Sequence, residues 1–146
     1  MIQRIQSLFL LLAALGSFAL YLLPFAATPQ AVPANDIFAD SVYNLMDHIG
    51  LIVFFSLAGL LALVAIFLYS NRRLQMRLTI FAVVAIVVGI AFGIVYFVNN
   101  STGLNDVQIA DQAGVYLPVL SLIFALLAYR YINKDEKMVQ SMDRLR

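Results

Sequence analysis

Residues 49–98 read IGLIVFFSLAGLLALVAIFLYSNRRLQMRLTIFAVVAIVVGIAFGIVYFV, two charge-free apolar blocks joined by the basic segment NRRLQMR at 71–77. The blocks, about 49–70 and 78–98, each match the roughly 17–25 residues that a helix needs to cross about 30 Å of hydrocarbon. In lipid every backbone N–H and C=O must find a partner within the segment, which selects a helix over an isolated strand. The joining segment is too short for anything but a turn, so the two predicted helices are antiparallel neighbours.

Two further blocks flank this pair. One runs from about Ile5 to Ala27, with no charge after Arg4, and the other from about Val115 to Ile132. Pro24 falls near the end of the first and Pro118 in the first turn of the last, where a missing N–H does least damage. The first block outlasts the roughly 7–15 residue core of a signal peptide, which predicts a retained span. Composition agrees: 63% of the 146 residues are hydrophobic and 12% charged, against roughly half and a quarter in soluble domains. The alternating pattern of a membrane β-barrel is absent. With no cysteine the chain has no disulfide, thiolate metal site or cysteine nucleophile.

Charge sorting orients the four spans. All nine basic residues fall on one side of a four-crossing chain: Arg4, Arg72, Arg73, Arg77, Arg130, Lys134, Lys137, Arg144 and Arg146. The segments on the other side, about 28–48 and 99–114, hold Asp36, Asp40, Asp47, Asp106 and Asp111 and no Lys or Arg. The positive-inside rule then places both termini in the cytoplasm. Tyr21, Tyr43, Tyr96 and Tyr116 fall near the outer boundary and Tyr69, Tyr129 and Tyr131 near the inner one, the depth a tyrosine ring and hydroxyl prefer. The expected fold is an all-α integral membrane protein: one domain over 1–146, a four-transmembrane-helix bundle, N-in and C-in.

Two shorter helices complete the expectation. In DIFADSVYNLMD (36–47), Asp36 is a fitting N-cap, and Ile37, Phe38, Val42, Leu45 and Met46 recur at helical spacing opposite Asp36, Asp40 and Asp47. This predicts a short amphipathic helix on the outer surface or capping the bundle. In the tail, residues 133–146, Met138, Met142 and Leu145 recur at i, i+4 and i+7, with Asn133 as a cap. A cytoplasmic helix is expected there, continuing span four or lying at the headgroups.

Intramembrane ionisable residues would be the default functional signal, and no span carries one at its centre. Ser17, Ser56, Thr79 and Ser121 are the main hydroxyls, and such residues usually bond back to their own helix. His48, the single histidine, sits beside Asp47 at the start of span two. A pH sensor or metal ligand is the sharper reading; a cap on the span is the plainer and favoured one. Asp36, Asp40 and Asp47 read as a solvated acidic face rather than an acid–base pair, and no GxSxG, phosphate loop or nucleic-acid motif occurs. No catalytic residue, cofactor or metal is assigned.

Small residues carry the best packing signal: Ala85, Gly89 and Gly93 fall at i, i+4 and i+8, with Gly89-x-x-x-Gly93 inside an apolar helix. Such spacing lets backbones approach closely. Packing within the chain's own bundle is favoured over docking with a second copy or another protein. The inner cations Arg72, Arg73, Arg77, Lys134, Lys137, Arg144 and Arg146 set topology first. Contact with a cytoplasmic partner or with anionic lipid headgroups is the sharper alternative.

The stretches MIQRIQSLFLLLAAL, FLYSNRRLQMRL and YRYINKDEKMVQSMDRLR resemble a Bacteroidota family of small four-span membrane proteins, domain of unknown function 4293. The resemblance spans the chain in order and length, with the DRLR ending its most specific part. It implies a bacterial inner membrane and a single domain, and no activity. The recognised stretches face the cytoplasm, so by analogy a partner lies inside or within the membrane. The function expected is that of a non-catalytic accessory or scaffold subunit, in the bilayer with other subunits or as a homo-oligomer and without nucleic acid. The alternative is a small transporter or channel for a small or hydrophobic solute.

Overall fold

The computed structural model describes residues 2–33, 35–102 and 107–143. Arg144 and Arg146 lie outside the described residues, as does Asp106. Four long helices are described: α1 (Ile2–Ala19), α2 (Ile49–Phe67), α3 (Arg72–Ser101) and α4 (Leu117–Asp143). Helix α1 packs against α2 and α4, and α3 against the same two, so the helices close a ring in chain order. Gln6 Nε2 donates to the Tyr131 carbonyl at 3.1 Å, and Arg72 meets Asp135 at 3.3 Å. The start of α1 and of α3 therefore lie beside the end of α4, and consecutive helices run in opposite directions.

Three runs are long and apolar enough to cross a membrane: Ile49–Phe67, Arg72–Ser101 and Ala113–Ser141, the last including the 3-10 turn before α4. The apolar part of α1, Ile5–Ala19, is shorter. The first block was expected to stay helical to Ala27, but α1 stops at Ala19. Pro24 explains the early exit: it has no N–H to continue the ladder, its ring would strike the carbonyl four residues back, and it disfavours helical backbone at Leu23. The Leu22 and Leu23 N–H groups bond back to Ala19 O before the chain leaves.

Beyond that exit the loops knit into a small sheet absent from the sequence reading. Strand β1 (Ala26–Ala27) lies between β2 (Val42–Tyr43) and β3 (Ala110–Asp111), antiparallel to both. Ala26 faces Tyr43 on one side and Asp111 on the other. The bonds Phe25 N–H to Tyr43 O (2.8 Å) and Gln112 N–H to Phe25 O (2.9 Å) extend the ladder, and Gly114 N–H donates to Pro24 O at 3.0 Å. One clasp thus ties the end of α1 to the starts of α2 and α4.

The outer amphipathic helix expected over 36–47 is corrected. Residues 36–44 form bends, a turn and β2, followed by a single 3-10 turn at Leu45–Asp47. The Asn35 side chain takes the donors a helix would need, accepting from Ile37 N–H (3.0 Å) and Phe38 N–H (3.3 Å). Ser41 sits in the left-handed region at φ 69°, which a helix cannot contain. Ile37, Phe38 and Leu45 of the expected stripe are fully buried and plug the end of the bundle, whereas Met46 of the same stripe is 62% exposed. Asp36, Asp40 and Asp47 consequently share no helical face.

The C-terminal helix is the unbroken continuation of α4, and Asn133 lies inside it rather than capping a new one. At the opposite end from the sheet the helices approach through alanines: Ala58, Ala62, Ala65, Ala82, Ala125 and Ala128 are almost fully buried. Small side chains at helix seams permit the close backbone contact that holds helices together in lipid. Ser17 and Thr79 bond back to Ala13 O (3.0 Å) and Gln75 O (2.9 Å), and Ser56 to Ile52 O. Ser121 departs from that pattern. Its Oγ is enclosed against Gly16 of α1 with no hydrogen-bond partner.

Candidate functional site, a lateral pocket below the sheet

Beneath the small sheet lies a cavity of about 300 Å³ between α2, α3 and α4. Its back wall is Leu51 and Phe55 of α2, its roof Phe25, Ala26 and Tyr43, and its rim Ile94 of α3 and Val119 of α4. The back wall and roof are buried, whereas Ile94 is 58% and Val119 50% exposed, so the pocket opens sideways between α3 and α4. Those two helices make the least extensive contact around the ring.

The chemistry of the lining is almost wholly apolar. Tyr43 contributes a hydroxyl, but it already donates to the Gly93 carbonyl at 3.1 Å. Burial, reinforced by the Asp47 and Tyr96 oxygens, holds that phenol above its ordinary pKa and so neutral. Asp111 is exposed at the upper edge and supplies the only carboxylate of the lining. A volume at the low end of the roughly 300–1,000 Å³ of small-ligand sites, without a free polar side chain inside, suits one apolar chain.

Of the sequence-assigned packing residues, Gly89 and Gly93 face the chain's own α2. Ala85 and Gly89 are buried; a Cβ on Gly89 would sit 3.1 Å from the Phe55 ring and 3.3 Å from Phe54 Cβ. At Gly93 it would sit 3.3 Å from Leu51. Gly89 and Gly93 also line the pocket, because the missing side chains leave its floor open. Sequence reading missed Phe25, Tyr43, Pro118 and Val119, whose neighbourhood is created by the sheet. The signal that points to them is the run of aromatics at one end: the Tyr43 ring packs, tilted, near Phe25 (5.2 Å), Phe97 (5.7 Å) and Tyr96 (6.3 Å).

His48 is the N-cap of α2: its Nδ1 accepts the Gly50 N–H at 3.0 Å, and its ring packs on Phe92 and Tyr96, each 4.8 Å away. Asp47 caps the preceding 3-10 turn, accepting Asn44 N–H at 2.6 Å. Among the described residues no group of three or more His, Asp or Glu is placed to hold a metal. Burial holds the Asp47 carboxyl above the usual carboxylate range, with Asp40 adding to it and the Asn44 N–H opposing it. A raised folded-state pKa means that the native state binds this proton more tightly than the unfolded chain. Stability then falls as pH rises through that pKa. Asp47→Asn keeps an acceptor for Asn44 without the buried charge. It is expected to melt above wild type near neutral pH, with the gap closing on acidification; a pH-independent gap would contradict this.

The described cytoplasm-assigned cations divide into three groups. Arg72 pairs with Asp135 at 3.3 Å and Arg73 with Glu136 at 3.5 Å, docking the end of α4 onto the start of α3. Lys134 and Lys137 are exposed on another face of α4 and, with Arg130, border a shallow groove reaching Ser141. Arg77 is exposed on α3.

Fold and site together define a helical protein with three runs long and apolar enough to cross a membrane and an apolar side pocket. The chain belongs to the family described as a domain of unknown function (DUF4293), whose model matches residues 2–145. No curated protein and no solved structure matches it.

Proposed function

We propose that this chain is a non-catalytic protein of the bacterial inner membrane, crossing four times with both ends in the cytoplasm. Its work is to hold one apolar chain of a membrane component in the pocket between α3 and α4. The observation that carries this reading is the sideways opening of that pocket between two helices that are long and apolar enough to cross a membrane. The 18 residues of α1 rise about 27 Å, and α1 runs from beside Tyr131 to the sheet, alongside the length of α4. That supports a fourth crossing. The described cations cluster at the end away from the sheet, which supports the inward orientation.

Gly89 and Gly93 already pack on Phe54, Phe55 and Leu51 of α2, which favours the pocket over that face as the working surface. A channel would need a through-path, whereas the pocket ends at Phe55 and Gly89 and the alanine seams fill the other half. The test uses the exposed rim. Ile94→Trp and Val119→Trp place an indole at the mouth without touching the buried wall. Native mass spectrometry of the purified chain is expected to show one retained lipid or isoprenoid in wild type and about tenfold less in the plugged variants, a loss of about 1.4 kcal/mol in affinity. Equal retention in all three would sink the reading.

A further inference from the structure

We propose that the exposed face of α4 formed by Arg130, Lys134 and Lys137 binds the phosphodiester headgroup of an anionic phospholipid in the leaflet at that end of the protein. The residues recur at i, i+4 and i+7, so they share one side of the helix. The acids of the same segment are drawn elsewhere. Asp135 is buried against Arg72, and Glu136 is held by Arg73 and by Gln140, whose Nε2 donates to Glu136 Oε1 at 2.9 Å. A segment that looks nearly neutral in sequence therefore presents three cations with no acid among the residues lining their groove.

The position selects the ligand. One and two turns before Arg130, on the same side of α4, lie Leu126 (44% exposed) and Ile123 (46% exposed). Lipid chains packed on that column place their headgroups about one helical turn, roughly 5.4 Å, further along the axis, where Arg130 stands. Side chains on a helix lean toward its N-terminus, so Lys134 and Lys137 reach back toward the same layer. Arg130 supplies a fork that matches a phosphate, while the lysines add point charges. Asn133 adds a neutral donor along the groove, whereas the Ser141 hydroxyl already donates to the Met138 carbonyl at 2.8 Å.

The full chain is placed in nanodiscs of equal phosphatidylcholine and phosphatidylglycerol, and the lipids retained on release are read by native mass spectrometry. Wild type is expected to retain phosphatidylglycerol preferentially. Arg130→Gln, Lys134→Gln and Lys137→Gln are each expected to lower that preference on the order of fivefold, the attraction of one juxtamembrane cation. All three sites are exposed, and an unchanged melting curve reports that the fold survives. Lys134→Gln combined with Ser70→Lys keeps the net charge and moves one cation to the α2–α3 turn; it is expected to behave as Lys134→Gln alone. Wild-type preference in that double variant, or in the triple glutamine variant, overturns the proposal. So does displacement of the phosphatidylglycerol by millimolar inorganic phosphate, which would mark a free-anion site. The pocket variants above leave this preference unaltered, so the two proposals fail separately.

Discussion

Gly114→Val is expected to destabilise the protein by about 3 kcal/mol, the upper part of the range for overpacking, and to lower its melting temperature on the order of 10 °C. Gly114 begins the approach to α4, and its N–H donates to Pro24 O. A Cβ there would lie 2.6 Å from the Leu23 carbonyl oxygen and still closer to that of Pro24. Both obstacles are backbone, so no rotamer change can relieve them. The chain must move, and the movement breaks the contact that ties α1 to α4 beneath β1 and β3. Gly93 gives the contrast: its added Cβ would meet only the tip of Leu51 at 3.3 Å and the Tyr43 hydroxyl at 3.7 Å. Gly93→Ala should therefore cost less than about 1 kcal/mol. Thermal unfolding in one detergent reads both, and similar melting curves for the two variants would show that the clasp does not hold the helices.

The contrast also marks how far the sequence could be read. Span two was expected from Ile49, and α2 begins there because His48 caps it. Span three was expected from about Leu78 after a turn over 71–77, whereas α3 already begins at Arg72, after Asn71, whose side chain accepts Leu74 N–H at 3.2 Å. Long apolar runs between polar residues carry that information in one dimension. The sheet does not announce itself, since strands of two residues have no period and are held by backbone groups common to every sequence. The helix wrongly expected at 36–47 had a valid stripe, but a stripe says only that residues are buried on one side. Asn35 and Ser41 decided the backbone, and they decided against a helix.

The functional residues follow the same division. Ala85, Gly89 and Gly93 were legible as a close-packing face because GxxxG spacing lies within one helix. The occupant of that face was not, because Phe54 and Phe55 are contributed by another. Lys134 and Lys137 were legible as cations. Their separation from Asp135 and Glu136 required knowing that Arg72 and Arg73 fold against those acids. The pocket joins Phe25, Tyr43, Ile94 and Val119 from four parts of the chain, and no local pattern links them.

Phe55→Ala is the second large effect and joins the fold to the pocket. Phe55 is 1% exposed, faces Gly89 and forms the pocket's back wall. Removing a buried phenyl ring costs about 3–5 kcal/mol in soluble cores. In lipid the loss falls mainly on dispersion contacts, since separated helices bury apolar surface in acyl chains as well. An effect of about 2–3 kcal/mol is therefore expected, read by denaturant titration in lipid–detergent mixed micelles. The vacated space adjoins the existing cavity rather than closing upon itself, so it extends the pocket toward the alanine-packed half. A longer or branched apolar chain should then bind the variant better than wild type, and saturating amounts should restore part of the stability, because a ligand that binds only the folded state stabilises it by mass action. Phe55→Ala combined with Val119→Trp should keep the destabilisation and lose the rescue. If added lipid restores the plugged and unplugged variants alike, the stabilisation comes from the bulk bilayer, and the pocket between α3 and α4 holds no chain of its own.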